Sequence, residues 1–245
     1  MSKKDRETNR ASRATAIQAE QAGRERNRRI LIVLAVVVVL GAIVAGGVIF
    51  SGNGSTTGSA GGALPKAAAN GEALVLGNDQ GATKVVVYED FLCPYCREFE
   101  TSTRDFLHAD AEKGKALVEY RPFHLLQDDY STLALTAWAA VLKDGTGRQA
   151  LKFHDLLFDN QPYEADADKP GIDELVDLAK KAGVTDSAVL DAMREKDQEF
   201  VDAADAAATE AGVKGTPTIF VDGKELRGSS VTDLADNLEQ LLAQG

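Results

Sequence analysis

The pattern of apolar and polar positions divides this chain into an apolar run, a low-complexity stretch and a long mixed region. Residues 30–50 form 21 consecutive positions without a charge, mostly Val, Leu, Ile and Gly. About 20 apolar residues are enough to cross a hydrocarbon layer roughly 30 Å thick. A cleavable signal peptide has a shorter apolar core, of roughly 7–15 residues. We therefore predict one transmembrane helix that stays attached as an anchor, with cleavage as the alternative.

The stretch that follows has a different composition. Residues 51–70 are dominated by Gly, Ser, Thr and Ala, which is typical of a flexible linker. The folded domain is predicted to cover residues 71–245, and no internal repeat of a useful period interrupts it. The chain thus reads as an anchor, a linker and one folded domain.

The first half of the folded domain alternates between strand and helix patterns. Residues 84–88 (Lys-Val-Val-Val-Tyr) contain three β-branched residues followed by an aromatic one, which predicts a strand buried on both faces. Residues 94–108 have helical spacing, with Phe99 and Phe106 seven positions apart. A second strand is predicted within residues 116–126. Strand, helix and strand in this order indicate an α/β fold.

The second half is predicted to be helical until close to its end. Residues 131–212 have helical periodicity and form an insertion, with Thr185 and Asp186 as candidate helix caps. Residues 215–226 contain two short strands around an Asp-Gly turn, which predicts a β-hairpin. A closing amphipathic helix follows. The helical patterns within the insertion cover residues 133–142, 148–158, 171–183 and 187–211.

Charge is distributed unevenly along the chain. Residues 1–29 carry nine Lys and Arg against four Asp and Glu, with four arginines directly before the apolar run. By the positive-inside rule this basic tail stays in the cytoplasm, which places the folded domain on the other side of the membrane. Residues 51–245 carry eighteen basic against thirty-four acidic residues. Because a nucleic-acid-binding domain needs a basic surface, this balance argues against such a partner.

The only two cysteines of the chain are separated by two residues. Cys93-Pro94-Tyr95-Cys96 follows directly on the predicted buried strand. With Cys93 at the N-cap and Pro94 at the first helical position, the Cys93 sulfur faces unpaired backbone N–H groups and the positive end of the helix dipole. This lowers the pKa of a thiol and favours the reactive thiolate. Cys96, one turn into the helix, can then resolve a mixed disulfide by attacking the Cys93 sulfur.

Two other uses of the cysteine pair are disfavoured. A static disulfide closing a loop of about four residues adds roughly 2 kcal/mol by the loop-entropy model, less than a long-range bridge. A metal site needs two more ligands, and His108, His124 and His154 lack metal-ligand spacing. We therefore predict no metal. His108 and His124 are interpreted as structural residues, and His108 is expected to be a cation at a helix end. Trp138, Phe153 and Phe158 are interpreted as core residues.

A proline near the predicted hairpin is the second landmark. Pro217 stands at the entry to a strand, where its missing N–H is tolerated. Taken with the dithiol motif, it predicts a cis Thr216–Pro217 bond lying against the cysteines. A strand edge at this place can hold an extended substrate peptide by strand addition.

With these two landmarks, residues 71–245 resemble the DsbA-like branch of the thioredoxin superfamily. The helical insertion between the second strand and the hairpin separates this branch from thioredoxin and glutaredoxin, and an acidic domain behind an N-terminal anchor is similar to exported versions from Gram-positive bacteria. The resemblance implies a thioredoxin-like fold with Cys93 as nucleophile, Cys96 as resolving thiol, and Thr216 with Pro217 as the substrate-binding loop. It implies no cofactor beyond the redox-active disulfide.

The sequence departs from this family at one position. Many relatives carry a buried acid six positions before the first cysteine, where it can move protons to the resolving thiol. Here that position is Val87. Glu89 lies two residues further and, by strand alternation, on the same face, so it is a possible proton relay. A solvated carboxylate in the turn is the preferred interpretation of Glu89.

The expected function is a dithiol oxidase that introduces disulfides into exported cysteine-containing polypeptides. Such an enzyme needs a membrane redox partner for recycling, and disulfides persist outside the cytoplasm. The alternatives are a membrane-anchored reductase or isomerase, and a non-enzymatic adaptor with this fold. The Pro94-Tyr95 dipeptide does not decide the direction, because it also occurs in glutaredoxins.

Overall fold

A computed structural model describes residues 67–78 and 82–244. The predicted cytoplasmic tail (1–29), the predicted anchor (30–50) and most of the predicted linker lie outside these residues. Within the described part of the chain, no helix is both long and apolar enough to span a membrane.

The domain begins earlier than the sequence predicted. Strand β1 (Ala67–Asn70) pairs antiparallel with β2 (Ala73–Leu76), and Ala67 lies opposite Leu76. Residues 67–70 are therefore an edge strand and not linker, because backbone pairing makes a strand of residues whose small side chains suggested flexibility. Gly147 permits close contact here, since a Cβ atom at this position would lie 2.2 Å from the Ala67 carbonyl oxygen.

The sheet has six strands in the order β1-β2-β4-β3-β5-β6. The four remaining strands are β3 (Thr83–Glu89), β4 (Ala116–Pro122), β5 (Thr218–Val221) and β6 (Lys224–Glu225). Strands β3 and β4 run parallel at the centre, and β5 pairs antiparallel with β3. The predicted hairpin is β5–β6, and the Asp222-Gly223 turn has positive φ at both residues.

Seven helices accompany this sheet in the described residues. They are α1 (Pro94–Glu112), α2 (Asp129–Asp144), α3 (Gly147–Asp159), α4 (Ile172–Lys181), α5 (Ser187–Ala192), α6 (Gln198–Glu210) and α7 (Val231–Gln244). Helices α2 to α6 form the predicted insertion. The segment 187–211, predicted as one helix, is two. Asp186 caps α5 as predicted, and Asp197 caps a separate α6 by accepting from Phe200 N at 2.9 Å.

The two faces of the central sheet differ. Val85, Val87 and Glu89 of β3 point to the face covered by helices and are buried, whereas Val86 on the opposite face is only half-buried. The predicted burial on both faces is therefore confirmed for Tyr88, which is 7% exposed on the second face, but not for Val86. An open groove of about 510 Å³ lies on the second face, lined in part by Val86 and Phe220. The helix-covered face holds the core and carries the cysteines.

The large aromatic residues of the insertion lie in this core. Trp138, Phe153 and Phe158 are completely buried, as predicted. Phe91, which precedes the cysteines, packs against Trp138 and Phe158 with ring centroids 5.9 and 5.2 Å apart. Since burial of one such side chain contributes about 1.5–3 kcal/mol, these contacts fix the insertion against the cysteine loop.

Candidate active site

The loop between β3 and α1 is held by one buried carboxylate. Asp90 accepts hydrogen bonds from the backbone N–H of Leu92 at 2.8 Å, of Leu125 at 2.9 Å and of Leu126 at 3.0 Å. The Ser131 hydroxyl also donates to it at 2.9 Å. These bonds join the ends of β3, β4 and α2 at one point. They define the place where the chain turns toward Cys93.

A residue of the helical insertion also forms hydrogen bonds that hold the cysteine loop. The buried Gln161 side chain donates to the carbonyl oxygens of Phe91 at 2.9 Å and Cys93 at 3.1 Å. The backbone carbonyl oxygen of Gln161 accepts from the Arg97 guanidinium at 3.4 Å. Gln161 could not be predicted as a site residue, because nothing in the local pattern of a loop glutamine shows which distant carbonyls it meets.

Cys93 occupies the N-cap of α1, with Pro94 at the first helical position, as predicted. Interaction with the Cys96 side chain lowers the pKa of Cys93, and the Thr216 side chain and the backbone N–H groups of Cys96 and Tyr95 add to this effect against the opposing effect of burial. The pKa falls from an ordinary 9.0 to about 6. Near neutral pH the sulfur is therefore predominantly a thiolate, the species that attacks disulfides and leaves from them.

Cys96 has the opposite character. Its side chain is completely buried, and burial together with the neighbouring Cys93 and the charge of Glu89 raises the pKa of Cys96 well above 9.0. Cys96 therefore stays a protonated thiol unless a nearby group accepts its proton. The two cysteines, both reduced here, are thus a nucleophile that is 5% exposed and a resolving thiol that is completely buried.

The predicted proline loop lies beside the nucleophile. The Thr216–Pro217 peptide bond is cis, and the thiol of Cys93 donates to the Thr216 carbonyl oxygen at 3.5 Å. Pro217 directly precedes β5, and Thr218 closes the turn by donating to the Gly215 carbonyl at 2.7 Å. The structure thus brings the two predicted landmarks into contact although they are more than 120 positions apart in sequence.

Two exposed tyrosines border this surface. Tyr95, between the cysteines, is 53% exposed, and Tyr163 of the insertion is 70% exposed. Arg97 packs over the Tyr163 ring at 5.7 Å from its centroid. Large aromatic side chains exposed beside a reactive sulfur are available for contact with an incoming polypeptide.

Glu89 lies on the buried side of the dithiol. It is completely buried, and its Oε1 atom is 2.6 Å from Nε2 of His154, which is also completely buried. The preferred interpretation of Glu89 as a solvated turn carboxylate is therefore wrong. The reason is that β3 extends through Glu89, so strand alternation still directs the side chain to the same face as Val87. A role in proton transfer stays a prediction.

The three histidines have different surroundings. Burial lowers the pKa of His154, but the charge of Glu89, the nearby Asp155 carboxylate and the hydrogen bond with Glu89 outweigh this effect and raise it to about 10. Burial lowers the pKa of His108 to about 4, so the predicted cationic His108 is wrong; α1 also continues to Glu112. The backbone N–H of His124 donates to Asp205 at 2.9 Å, consistent with a structural role.

Glu89 and His154 also meet Glu100, and the donor atoms of the three side chains all lie within 4.8 Å of one another. This combination of side chains is chemically suited to a divalent metal. However, two tetrahedral ligands bound at about 2.1 Å to one ion lie more than about 3 Å apart. The 2.6 Å separation of Glu89 Oε1 and His154 Nε2 is instead that of a charge-assisted hydrogen bond.

The sequence contained a signal for this cluster. Glu100 lies on the face of α1 that also carries Cys96, Phe99 and Leu107, and His154 lies on the apolar face of α3 with Phe158. A charged residue on an otherwise apolar helix face indicates a buried ionisable group, and such groups are rarely buried without a partner. Which partner it meets could not be inferred before the helices were placed together.

Fold and site together define a class of dithiol redox proteins, in which a thiolate at a helix N-terminus lies against a cis-proline loop. The family model described as thioredoxin matches residues 69–240. Since this range is more than half of the chain, the chain belongs to the thioredoxin family.

Solved structures narrow the class. The chain is similar to the thiol–disulfide oxidoreductase MdbA of Corynebacterium diphtheriae, with 27% identity, a TM-score of 0.62, and coverage of 73% of this chain and 94% of that one. It is similar to oxidised DsbA of Mycobacterium tuberculosis, with 27% identity, a TM-score of 0.57, and coverage of 73% and 92%. BdbD of Bacillus subtilis, at 23% identity and a TM-score of 0.62, shares the fold. The DsbA-like prediction is thereby confirmed for the described domain.

Curated relatives match over a similar length. A Na(+)/H(+) antiporter, NhaA 1 of Salinispora arenicola, is 32% identical over 164 residues, which are 63% of this chain and 22% of that protein. NhaA 3 of Salinispora tropica is 31% identical over 166 residues, with the same coverage of 63% and 22%. The chain thus spans about a fifth of the length of these relatives, and antiport is a property of those full-length proteins.

Proposed function

We propose that the protein is an extracytoplasmic dithiol oxidase that passes the Cys93–Cys96 disulfide to cysteines of exported polypeptides. The observation that supports this direction is the lowered pKa of Cys93, about 6 against an ordinary 9.0. A stabilised thiolate makes the reduced enzyme the favoured form, so its disulfide is a strong oxidant. The redox-active disulfide is the only cofactor that this reaction needs.

The reaction proceeds through a mixed disulfide. A substrate thiolate attacks Cys93 Sγ, the Cys93–Cys96 bond breaks, and the electron pair goes to Cys96 Sγ, which takes up a proton. A second substrate thiolate then attacks the substrate sulfur of the mixed disulfide, and Cys93 leaves as a thiolate. Two electrons pass to the enzyme, and the substrate gains one disulfide. The low pKa of Cys93 assists the second step and the high pKa of Cys96 requires a proton in the first.

The surface around Cys93 supports an extended polypeptide as substrate. The Thr216 carbonyl already faces the Cys93 sulfur at 3.5 Å, so the loop of Thr216 and Pro217 can hold a substrate strand next to the reacting atoms. Tyr95 and Tyr163 offer apolar contact on the same surface. Neither contact requires a particular substrate sequence, which suits an enzyme that oxidises many proteins.

The enzyme must also be re-oxidised after each turnover, and its location bears on how this happens. Each turnover leaves the enzyme reduced, so a membrane redox partner must accept two electrons from Cys93 and Cys96. Residues 30–50 would hold the enzyme in the lipid bilayer beside this partner, with the N-terminus cytoplasmic and the catalytic domain outside. The excess of acidic residues in 51–245 argues against a nucleic-acid partner.

The reduction potential of Cys93–Cys96 tests the proposed direction. The full chain, held in detergent, is equilibrated in glutathione buffers, and the dithiol fraction is read by alkylation and mass spectrometry. We expect a value near about −120 mV, at the oxidising end of this superfamily. A value near about −270 mV, as in thioredoxin, would contradict the oxidase and favour the reductase. The Cys93→Ser variant cannot form the disulfide, so its alkylation gives the baseline of the assay.

A further inference from the structure

The buried side of the dithiol contains more charge than the chemistry of two cysteines explains. Glu89, Glu100 and His154 are completely buried. His154 lies 2.6 Å from Glu89 through Nε2 and 3.6 Å from Asp155 through Nδ1. Arg104 Nε is 3.4 Å from Asp155 and 3.9 Å from Glu100. These five side chains are called the buried charge cluster below.

The cluster connects Cys96 to the surface along one helix. Glu100 follows Cys96 by four residues in α1, and Arg104 follows Glu100 by four, so the three side chains share one face of the helix. Cys96 and Glu100 are fully buried, and the Arg104 side chain is 17% exposed. Arg104 is bonded at 2.7 Å to Asp159, whose side chain is 47% exposed. These side chains therefore form a path from the buried Cys96 thiol to solvent.

Within this path, Glu100 lacks the bonds that a charged carboxylate needs. Neither of its oxygens has a hydrogen-bond partner in the described part of the chain. An ionised carboxylate buried without such bonds is strongly disfavoured, and it takes a proton instead. With Glu100 protonated, the negative Glu89 and Asp155 balance the positive His154 and Arg104. The uncharged Glu100 thus completes a neutral cluster.

The groups that surround Glu100 explain at which pH its proton is held. They are Glu89 from β3, Tyr120 from β4, His154 and Asp155 from α3, and Arg104 from α1 itself, while His108 of α1 lies beside Tyr120. Burial, and then the charge of Glu89, raise the pKa of Glu100 to about 8. Burial keeps Tyr120 protonated and His108 neutral at that pH. Glu100 therefore changes charge close to neutral pH.

Cys96 needs a neighbouring group that can supply a proton near neutral pH. Its sulfur becomes a thiolate when the Cys93–Cys96 bond breaks, in a place with no exposed surface. A proton must therefore arrive through the protein. Glu89 affects Cys96 directly through its charge, and Glu100 reaches Glu89 and His154 within 4.8 Å, a distance that one water bridges.

We propose that Glu100 is the proton reservoir of Cys96, working through the Glu89–His154 pair, with Arg104 and Asp159 as its opening to solvent. When a substrate thiolate attacks Cys93 and the disulfide breaks, the Glu100 carboxyl releases its proton and Cys96 becomes a neutral thiol. The resulting Glu100 carboxylate is protonated again from solvent. In the opposite reaction Cys96 returns the proton to Glu100 and attacks Cys93. The inference rests on thiol–disulfide exchange at Cys93, in either direction.

Glu100→Gln separates proton supply from structure. The amide has the shape of the protonated carboxyl and no charge, so the cluster stays neutral and we expect the variant to fold. Glu112→Gln is the matched control, because it makes the same change on an exposed residue of the same helix. Far-UV circular dichroism and thermal unfolding of both full-length variants check the fold.

The readout is the rate at which dithiothreitol reduces the Cys93–Cys96 disulfide between pH 5 and pH 9, corrected for the thiolate fraction of the reagent. We expect the corrected wild-type and Glu112→Gln rates to fall above about pH 8, where Glu100 loses its proton. In Glu100→Gln this inflection should be absent, and the rate below pH 8 should be about 10- to 100-fold lower. A solvent deuterium isotope effect should decrease in parallel.

The outcomes distinguish this inference from the proposed function. A folded Glu100→Gln variant with the wild-type pH profile would overturn the reservoir and leave dithiol exchange intact. A wild-type protein that fails to exchange disulfides at all would instead overturn the proposed function. An inflection that disappears in Glu112→Gln as well would show that surface charge causes it, and would also overturn the reservoir.

Discussion

The two sides of the dithiol are built on opposite principles. On the outer side, Cys93 meets a loop carbonyl and a helix N-terminus, the neighbouring Tyr95 is exposed, and the pKa of Cys93 is lowered to about 6. On the inner side, Cys96 meets only buried groups, and its pKa is raised well above 9.0. Two sulfurs of the same residue type, one helical turn apart, therefore differ in their preferred protonation state.

Because of this difference, the two sulfur atoms perform different parts of the same reaction. The outer sulfur exchanges electrons with a partner, so it needs accessibility and a stable thiolate. The inner sulfur has to receive and release a proton out of contact with water, so it needs ionisable neighbours. A change on the outer side should therefore alter substrate reaction, and a change on the inner side should alter pH dependence and stability.

The largest effect is expected from the cysteines themselves. Cys93→Ser should abolish disulfide exchange, because the hydroxyl cannot form the mixed disulfide. In Cys96→Ser the Cys93 thiolate should still attack a peptide disulfide, release one peptide thiolate and accumulate the mixed disulfide, since the resolving thiol is missing. Non-reducing electrophoresis with a disulfide-bonded peptide distinguishes the two variants. Equal trapping by both would contradict the division of roles between the sulfurs.

The next effect is expected on the inner side, from Glu89→Gln. This change leaves His154 buried without its charged partner, and breaking a buried ion pair destabilises a protein by about 3–5 kcal/mol. Thermal and urea unfolding of the reduced protein measure the loss. The exposed Glu112→Gln is again the control and should change stability by less than about 0.5 kcal/mol. Equal stability of both variants would show that the 2.6 Å pair contributes nothing.

The same pair predicts a pH dependence of stability. The pKa of His154 is raised from an ordinary 6.5 to about 10 in the folded protein. A raised pKa stabilises the fold fully below the unfolded value of 6.5, and this stabilisation is lost as the pH rises toward 10. Urea midpoints of the wild type should therefore fall between pH 6.5 and 10, and Glu89→Gln should flatten that decline. A wild-type midpoint that stays constant over this range would contradict the charged pair.

A smaller loss of stability is expected from Gln161→Ala, which acts on the loop between the two sides. The change leaves the carbonyls of Phe91 and Cys93 without their donor, and a buried polar group left unpaired costs about 1–3 kcal/mol. The matched control is Gln240→Ala, which changes an exposed glutamine of α7. Unfolding midpoints measure the effect. If the two variants unfold alike, the insertion does not hold the cysteine loop through this residue.

How far the sequence could predict this site depended on the kind of signal. Cys93, Pro94 and Cys96 were found because helix-start chemistry is local in sequence. The cis Thr216–Pro217 bond was inferred because a proline at a strand entry has few interpretations beside a dithiol. Both landmarks lie in the structure where they were expected, and they contact each other.

Other elements could not be predicted in the same way. Strand β1 was assigned to a linker because its alanines carry no strand signal, and only pairing with β2 makes it a strand. Glu89 was placed in solvent because the predicted strand ended one residue too early. Glu100 and Gln161 depend on side chains that come together from distant elements, so their partners follow from tertiary packing alone.

The smallest effect is expected at the outer rim, from Tyr163→Ala. The ring is 70% exposed and packs under Arg97 at 5.7 Å, so its removal should leave the fold and the pKa of Cys93 unchanged. If the ring contacts polypeptide substrates, the KM for a cysteine-containing peptide should rise about 2- to 5-fold, as for an exposed cation–π or aromatic contact of about 0.5–1 kcal/mol. The rate with dithiothreitol, which is too small to reach the ring, should stay the same. Loss of both rates together would show that Tyr163 supports the loop, and an unchanged KM would show that substrates bind on another part of the outer side.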